Sequence, residues 1–166
     1  KDIVDTIGSV VTKSLERKVE MAKVAETIAN VNLAATSERL TEAQTKQQDL
    51  LQKEIALRDE IKDSYKALAE TQKTYIESLT GDDRSIKQSS RALIDGILDQ
   101  KRKQIDLSRT IDQRIRQDSF VQSLEDRKLY QEKSLEEATA ARVAAEEKLA
   151  QTQAMITHIT SLLSGE

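Results

Sequence analysis

Proline is absent from all 166 residues, and glycine occurs only at positions 8, 81, 96 and 165. The 72 residues from Ser9 to Thr80 and the 68 from Ile97 to Ser164 therefore contain neither of the two residues that interrupt a helix. The intervening sequence is rich in Ala, Leu, Glu, Gln, Lys, Arg, Ser and Thr, most of which suit a helix. Two very long helical stretches are the direct expectation.

The best stop signal is Leu79-Thr80-Gly81-Asp82-Asp83-Arg84-Ser85. Gly81 can take the left-handed conformation that closes a helix, and Asp82, Asp83 or Ser85 can cap the free N–H groups of the next one. Ser85 followed by Gln88 also fits a capping box. With this loop at the midpoint, the sequence predicts an all-α fold: a long antiparallel two-helix coiled-coil hairpin. Its arms would cover residues 2–79 and 85–163, with the turn at 80–84 containing Gly81, Asp82 and Asp83. The competing architecture is an up-down four-helix bundle with extra breaks near 36–41 and 118–119, where Thr41 with Gln44 and Ser119 with Gln122 could cap new helices.

Folding about residue 82 pairs residue i with 164 − i. Thr41–Asp49 then meets Ile115–Ser123, both polar, and apolar residues from both chain ends meet at the open end. The second arm alternates spacings of three and four through Val121, Leu124, Lys128, Gln131, Leu135, Ala138, Arg142, Ala145, Leu149, Thr152, Ile156, Ile159 and Leu163. The first arm reads as less regular. Leu57, Leu68 and Leu79 stand eleven apart, as do Leu50 and Ile61, and Val11, Ala22 and Leu33, a spacing that implies a straighter path.

Composition limits the core. Only four aromatics occur (Tyr65, Tyr75, Phe120, Tyr130), there is no Trp, and 33% of residues are charged. A thin seam fits this better than a globule. The formal net charge of −3, the helical spacing of the apolar residues and the scarcity of Pro and Gly argue against disorder. The lack of Cys excludes disulfides, thiolate metal sites and thiol nucleophiles, and leaves the compartment open. No run approaches the length of a membrane-spanning helix. A chain opening on Lys1 reads as a segment of a longer protein.

Chemistry-bearing candidates are sparse. His158 is the sole histidine, too few for a multi-histidine metal site. The pairs Asp82-Asp83, Glu136-Glu137 and Glu146-Glu147 have no pocket to shift their pKa values, so the first reads as turn and cap. No Gly-rich phosphate loop is present, and neither cofactor nor metal is expected. Lys101-Arg102-Lys103 with Arg109, Arg114 and Arg116 is the most basic stretch. It lacks interleaved aromatics in an acidic chain, so a solvated face is favoured over nucleic acid. The pairs Glu42–Lys46, Asp49–Lys53, Glu54–Arg58, Asp99–Lys103 and Asp112–Arg116 also read as solvated faces that support helicity. Gly96 sits within an apolar helical run, as a close contact, a bend or a tolerated weak point.

These features point to a non-enzymatic spacer, stalk or assembly arm. Its expected partner is protein, either another copy or other domains of the parent chain. The contacts would be made by Ile3, Val4, Ile7, Val11, Ile156, Ile159, Leu162 and Leu163 at the open end. The second class is a membrane-acting helical element: part of a pore-forming toxin, a secretion translocator or a channel adaptor. A membrane is the corresponding alternative partner, though few Lys or Arg flank the terminal apolar runs.

Overall fold

The computed structural model describes residues 2–165. It consists of two helices, α1 (Asp2–Ser78) and α2 (Asp83–Leu163), packed against each other as a helical hairpin. Both helices run unbroken through 36–41 and 118–119, which rules out the four-helix bundle. Thr36 shows why a polar run need not become a loop: the side chain is buried, at 4% exposure, on the face that meets α2.

The turn is shorter than expected, and α2 begins at Asp83 rather than 85. Gly81 does not use the left-handed region, since Gly165 is the only glycine with positive φ among the described residues. The turn closes instead when the Gly81 N–H donates to the Ser78 carbonyl at 2.9 Å. Asp82 is the cap. Its carboxylate accepts the Ser85 N–H at 2.8 Å, and this bond, helped by the Ser85 hydroxyl, holds the Asp82 carboxyl below its ordinary value. Ser85 thus lies in the first turn of α2, and the Ser85–Gln88 capping box does not form.

Contacts divide the hairpin into two units. One, Thr41–Ser123, contains the turn; the other joins the α1 residues up to Leu40 with the α2 residues from Leu124. Antiparallel pairing is explicit in each. Gly96 approaches Leu68 in the turn unit, and Gly8 approaches Ile156 in the other, both pairs satisfying i with 164 − i. A Cβ on Gly8 would stand 3.1 Å from Ile156 Cγ2, and one on Gly96 would stand 3.0 Å from Leu68 Cδ1, so both glycines mark close helix approach. The close contact is thus the reading of Gly96 that the structure selects.

In the unit of the chain ends, α2 is buried or half-buried at every position of the three-and-four alternation from Leu124 to Ile156. The pattern stops there. Ile159 and Leu163 are exposed, close to where α1 begins at Asp2. The first arm is more regular than its apolar residues suggested. In this unit its covered positions include Gly8, Thr12, Leu15, Val19, Ala22, Glu26, Ala29, Leu33, Thr36 and Leu40; in the turn unit the same alternation runs from Ala43 to Ser78. Val11 and Leu79, which suggested an eleven-residue period, are exposed; the seam uses Thr12 and Ser78 instead. The remaining eleven-residue intervals are segments of the alternation, because three, four and four make eleven.

Candidate interaction surfaces

The seam of the turn unit is unusually polar. Glu54, read from sequence as part of a solvated pair, is 6% exposed and faces α2. Its carboxylate accepts from Arg58 at 3.0 Å and from the Arg114 Nε, while Arg114 also donates to Asp118 at 3.0 Å. Gln47 donates to the same Asp118 at 2.7 Å, and Gln117 donates to the Ala43 carbonyl at 2.9 Å. The two opposed polar runs, 41–49 and 115–123, therefore meet through hydrogen bonds. Arg114, counted in the basic stretch, is spent on this cluster, and Lys103 pairs with Asp99 at 3.0 Å.

A smaller copy of this arrangement lies in the other unit. Arg142 donates to Glu26 at 2.6 Å and to Glu146 at 3.0 Å. The Arg58 bond, then Arg114, holds the Glu54 carboxyl below its ordinary value of 4.5, and the Arg142 bond does the same for Glu26. Both guanidinium groups, on Arg114 and Arg142, are shifted upward in turn, so they stay charged throughout.

A carboxyl depressed by folding contributes stability that is fully present above its unfolded pKa and lost as pH falls through its folded one. Thermal unfolding followed by circular dichroism should therefore show a lower midpoint at pH 3 than at pH 7. The acid loss should shrink in Glu54→Gln. An identical acid loss in that variant would remove Glu54 as a contributor.

The turn residues Gly81, Asp82 and Asp83 are exposed, with Asp82 committed to capping. Beside them Asp83, Arg84, Lys87, Gln88 and Arg91 surround an open polar hollow. At the open end, Val4, Ile7, Gly8 and Val11 of α1 and Thr152, Ile156 and Ile159 of α2 line a shallow apolar groove. Five of the residues expected to make contacts, Val4, Ile7, Val11, Ile156 and Ile159, thus come together. Ile3, Leu162 and Leu163 lie outside the groove and are exposed.

Sequence reasoning missed a larger apolar feature. Met21, Val24, Ile28 and Val31 are all more than half exposed, and Arg17, Glu20 and Ala25 flank the first three. The signal was a second alternation of four and three, displaced from the covered one. Among the described residues there is no group of three or more potential metal-ligating side chains, and no helix is long and apolar enough to cross a membrane. His158 is exposed. No protein-family model, curated protein or solved structure matches the chain.

Proposed function

We propose that this chain is a non-catalytic coiled-coil hairpin serving as a spacer, stalk or assembly arm, which self-associates through apolar surface at its open end. The observation that carries this reading is an inversion of the usual distribution. Thr36, Glu54, Ser89, Gln100 and Thr110 occupy the seam, whereas Ile3, Ile7, Val10, Met21, Val24 and Ile28 are exposed. A seam built this way joins two helices with little apolar burial, and exposed aliphatic side chains gain when another protein covers them. The polar clusters have evident structural partners and sit in no enclosed site, which supports a role by shape and contact rather than by catalysis.

The membrane-acting reading draws on the same exposed residues, but neither Trp nor Phe lies near them to anchor at an interface. Light scattering over a concentration series, with dye release from phospholipid vesicles measured in parallel, separates the two. Mass that grows with concentration and no dye release is the expected result. Dye release would transfer the chain to the pore-forming class.

A further inference from the structure

The outward side of α1 carries a second, nearly continuous aliphatic stripe. Ile3, Ile7 and Val10, then Met21, Val24, Ile28 and Val31, keep the spacing of four and three, with Ser14 and Arg17 filling the two positions between. The seven aliphatic side chains are 55% to 74% exposed. They alternate with the covered residues Leu15, Val19, Ala22 and Ala29, so α1 presents one face to α2 and another away from it. The equivalent outward positions of α2 include Lys133, Glu137, Glu147 and Gln151, all exposed. The stripe is thus a property of α1 alone.

We infer that the stripe is the interface of an antiparallel, two-fold dimer of this chain, in which α1 packs on α1 of a second copy. The inference rests on the protein-contact reading above and supplies its partner and register. Charge at the stripe's edges makes the choice. Lys13 and Glu20 lie seven residues apart along one edge, and Lys18 lies along the other.

In an antiparallel pair like edges meet. One register sets Ile3, Ile7 and Val10 of one copy against Ile28, Val24 and Met21 of the other, with Ser14 and Arg17 facing each other as a single polar layer at the centre. In that register Lys13 faces Glu20 of the second copy, and two-fold symmetry makes the pair twice. Lys18 then lies beside Val11, where its stem can cover apolar surface while its ammonium reaches water. Val31 is the one stripe residue left at the margin.

The alternatives each bring like charges together. Sliding the antiparallel pair by one heptad in one direction sets Glu20 against Glu20 and Lys18 against Lys18. Sliding it in the other sets Lys13 against Lys13. A parallel pair brings unlike edges together and places Lys13 against Lys18 twice. Charge complementarity therefore selects a second copy of this chain, in one orientation and one register.

Sedimentation equilibrium of the full chain, with helicity followed by circular dichroism, tests this. The wild type should dimerise. Val24→Asp with Ile28→Asp should give monomers of unchanged helicity, since both side chains lie outside the seam. Lys13→Glu and Glu20→Lys should each weaken the dimer about tenfold, by turning two attractions into two repulsions. The double swap, and an equimolar mixture of the two single variants, should restore it.

A monomeric wild type would overturn the inference, as would tighter association of Lys13→Glu, which the parallel pair requires. Binding of the stripe to phosphatidylglycerol vesicles in place of self-association would assign it to a lipid surface and overturn the dimer. Association indifferent to the charge swaps would sink this interface while leaving the protein-contact reading standing. Dye release from vesicles would sink that reading itself.

Discussion

Leu124→Ala is expected to destabilise the hairpin by about 3 kcal/mol, or roughly 6–12 °C in the unfolding midpoint. Leu124 is 3% exposed, and the pairing of i with 164 − i places it opposite Leu40, itself 6% exposed. Truncation removes the transfer energy of the side chain and leaves a gap that the helices can close only by moving toward each other. Elsewhere in the seam the covered positions are largely Ala, Thr, Ser, Gln or charged, so few other residues can compensate. Only Leu15, Val19, Leu40, Ala43, Val121 and Leu124 form the buried apolar set among the described residues.

The control is Leu129→Ala, the same chemical change at a site that is 65% exposed, expected to stay within about 0.5 kcal/mol of the wild type. Thermal melts of the two variants decide the matter. Equal shifts would mean that the seam does not provide the cooperative stability of the hairpin.

That contrast between two leucines five positions apart also shows where sequence reasoning succeeds and fails. The hairpin was legible because Gly81 and Asp82 stand alone between two long stretches without Gly or Pro, and local helix preference met no competitor. The second arm was legible because Val121, Leu124, Leu135, Leu149 and Ile156 keep the alternation visible. On the first arm the covered positions include Thr12, Glu26, Thr36, Gln47, Glu54, Ser64 and Thr71. An apolar pattern search passes over these.

The same cause hid the outward stripe. Ile3, Ile7, Met21, Val24 and Ile28 are the residues such a search would assign to the seam, yet all five are more than half exposed. Glu54 was misjudged for a related reason: spacing to Arg58 shows that a pair can form, but not that Arg114 of the opposite helix closes over it. Hydrophobicity alone thus does not identify the faces of α1, and the charges beside each face carry the information that remains. Glu54 and Glu26 mark the inner face through their arginines, while Lys13, Lys18 and Glu20 border the outer one.

Gln100→Leu is expected to raise stability by about 1–3 kcal/mol, an uncommon direction for a change at a buried site. Gln100 is 5% exposed, and neither its amide nitrogen nor its amide oxygen has a hydrogen-bond partner. Folding strips water from both atoms and returns nothing, whereas Leu has similar bulk, no polar atom and a higher gain on burial. Contrast Thr110, equally enclosed at 2% exposure: its hydroxyl donates to the Asp106 carbonyl at 2.8 Å, so Thr110→Val should change little. A thermal melt of Gln100→Leu reads the effect directly, and a lowered midpoint would show that the amide is bonded in solution.

If the midpoint rises, the protein tolerates a weak layer inside the turn unit, three turns along α2 from Ser89 and the hydroxyl pair that Ser89 forms with Ser78 at 2.5 Å. A polar layer penalises sliding, because the pairing of i with 164 − i sets Gln100 opposite Ser64, and a slide of one heptad in one direction would set it opposite Leu57 instead. Register matters more here than in a globule. Sliding α2 along α1 would move Arg114 off Glu54 and Arg142 off Glu26, and Ile156 away from the space left by Gly8. Gln100→Leu should therefore be more stable but less constrained. Two cysteines placed at Ser78 and Ser89, in a chain that otherwise has none, should cross-link more slowly in the Gln100→Leu background than in the wild type. Equal rates together with a raised midpoint would show that the polar clusters fix the register without help from Gln100.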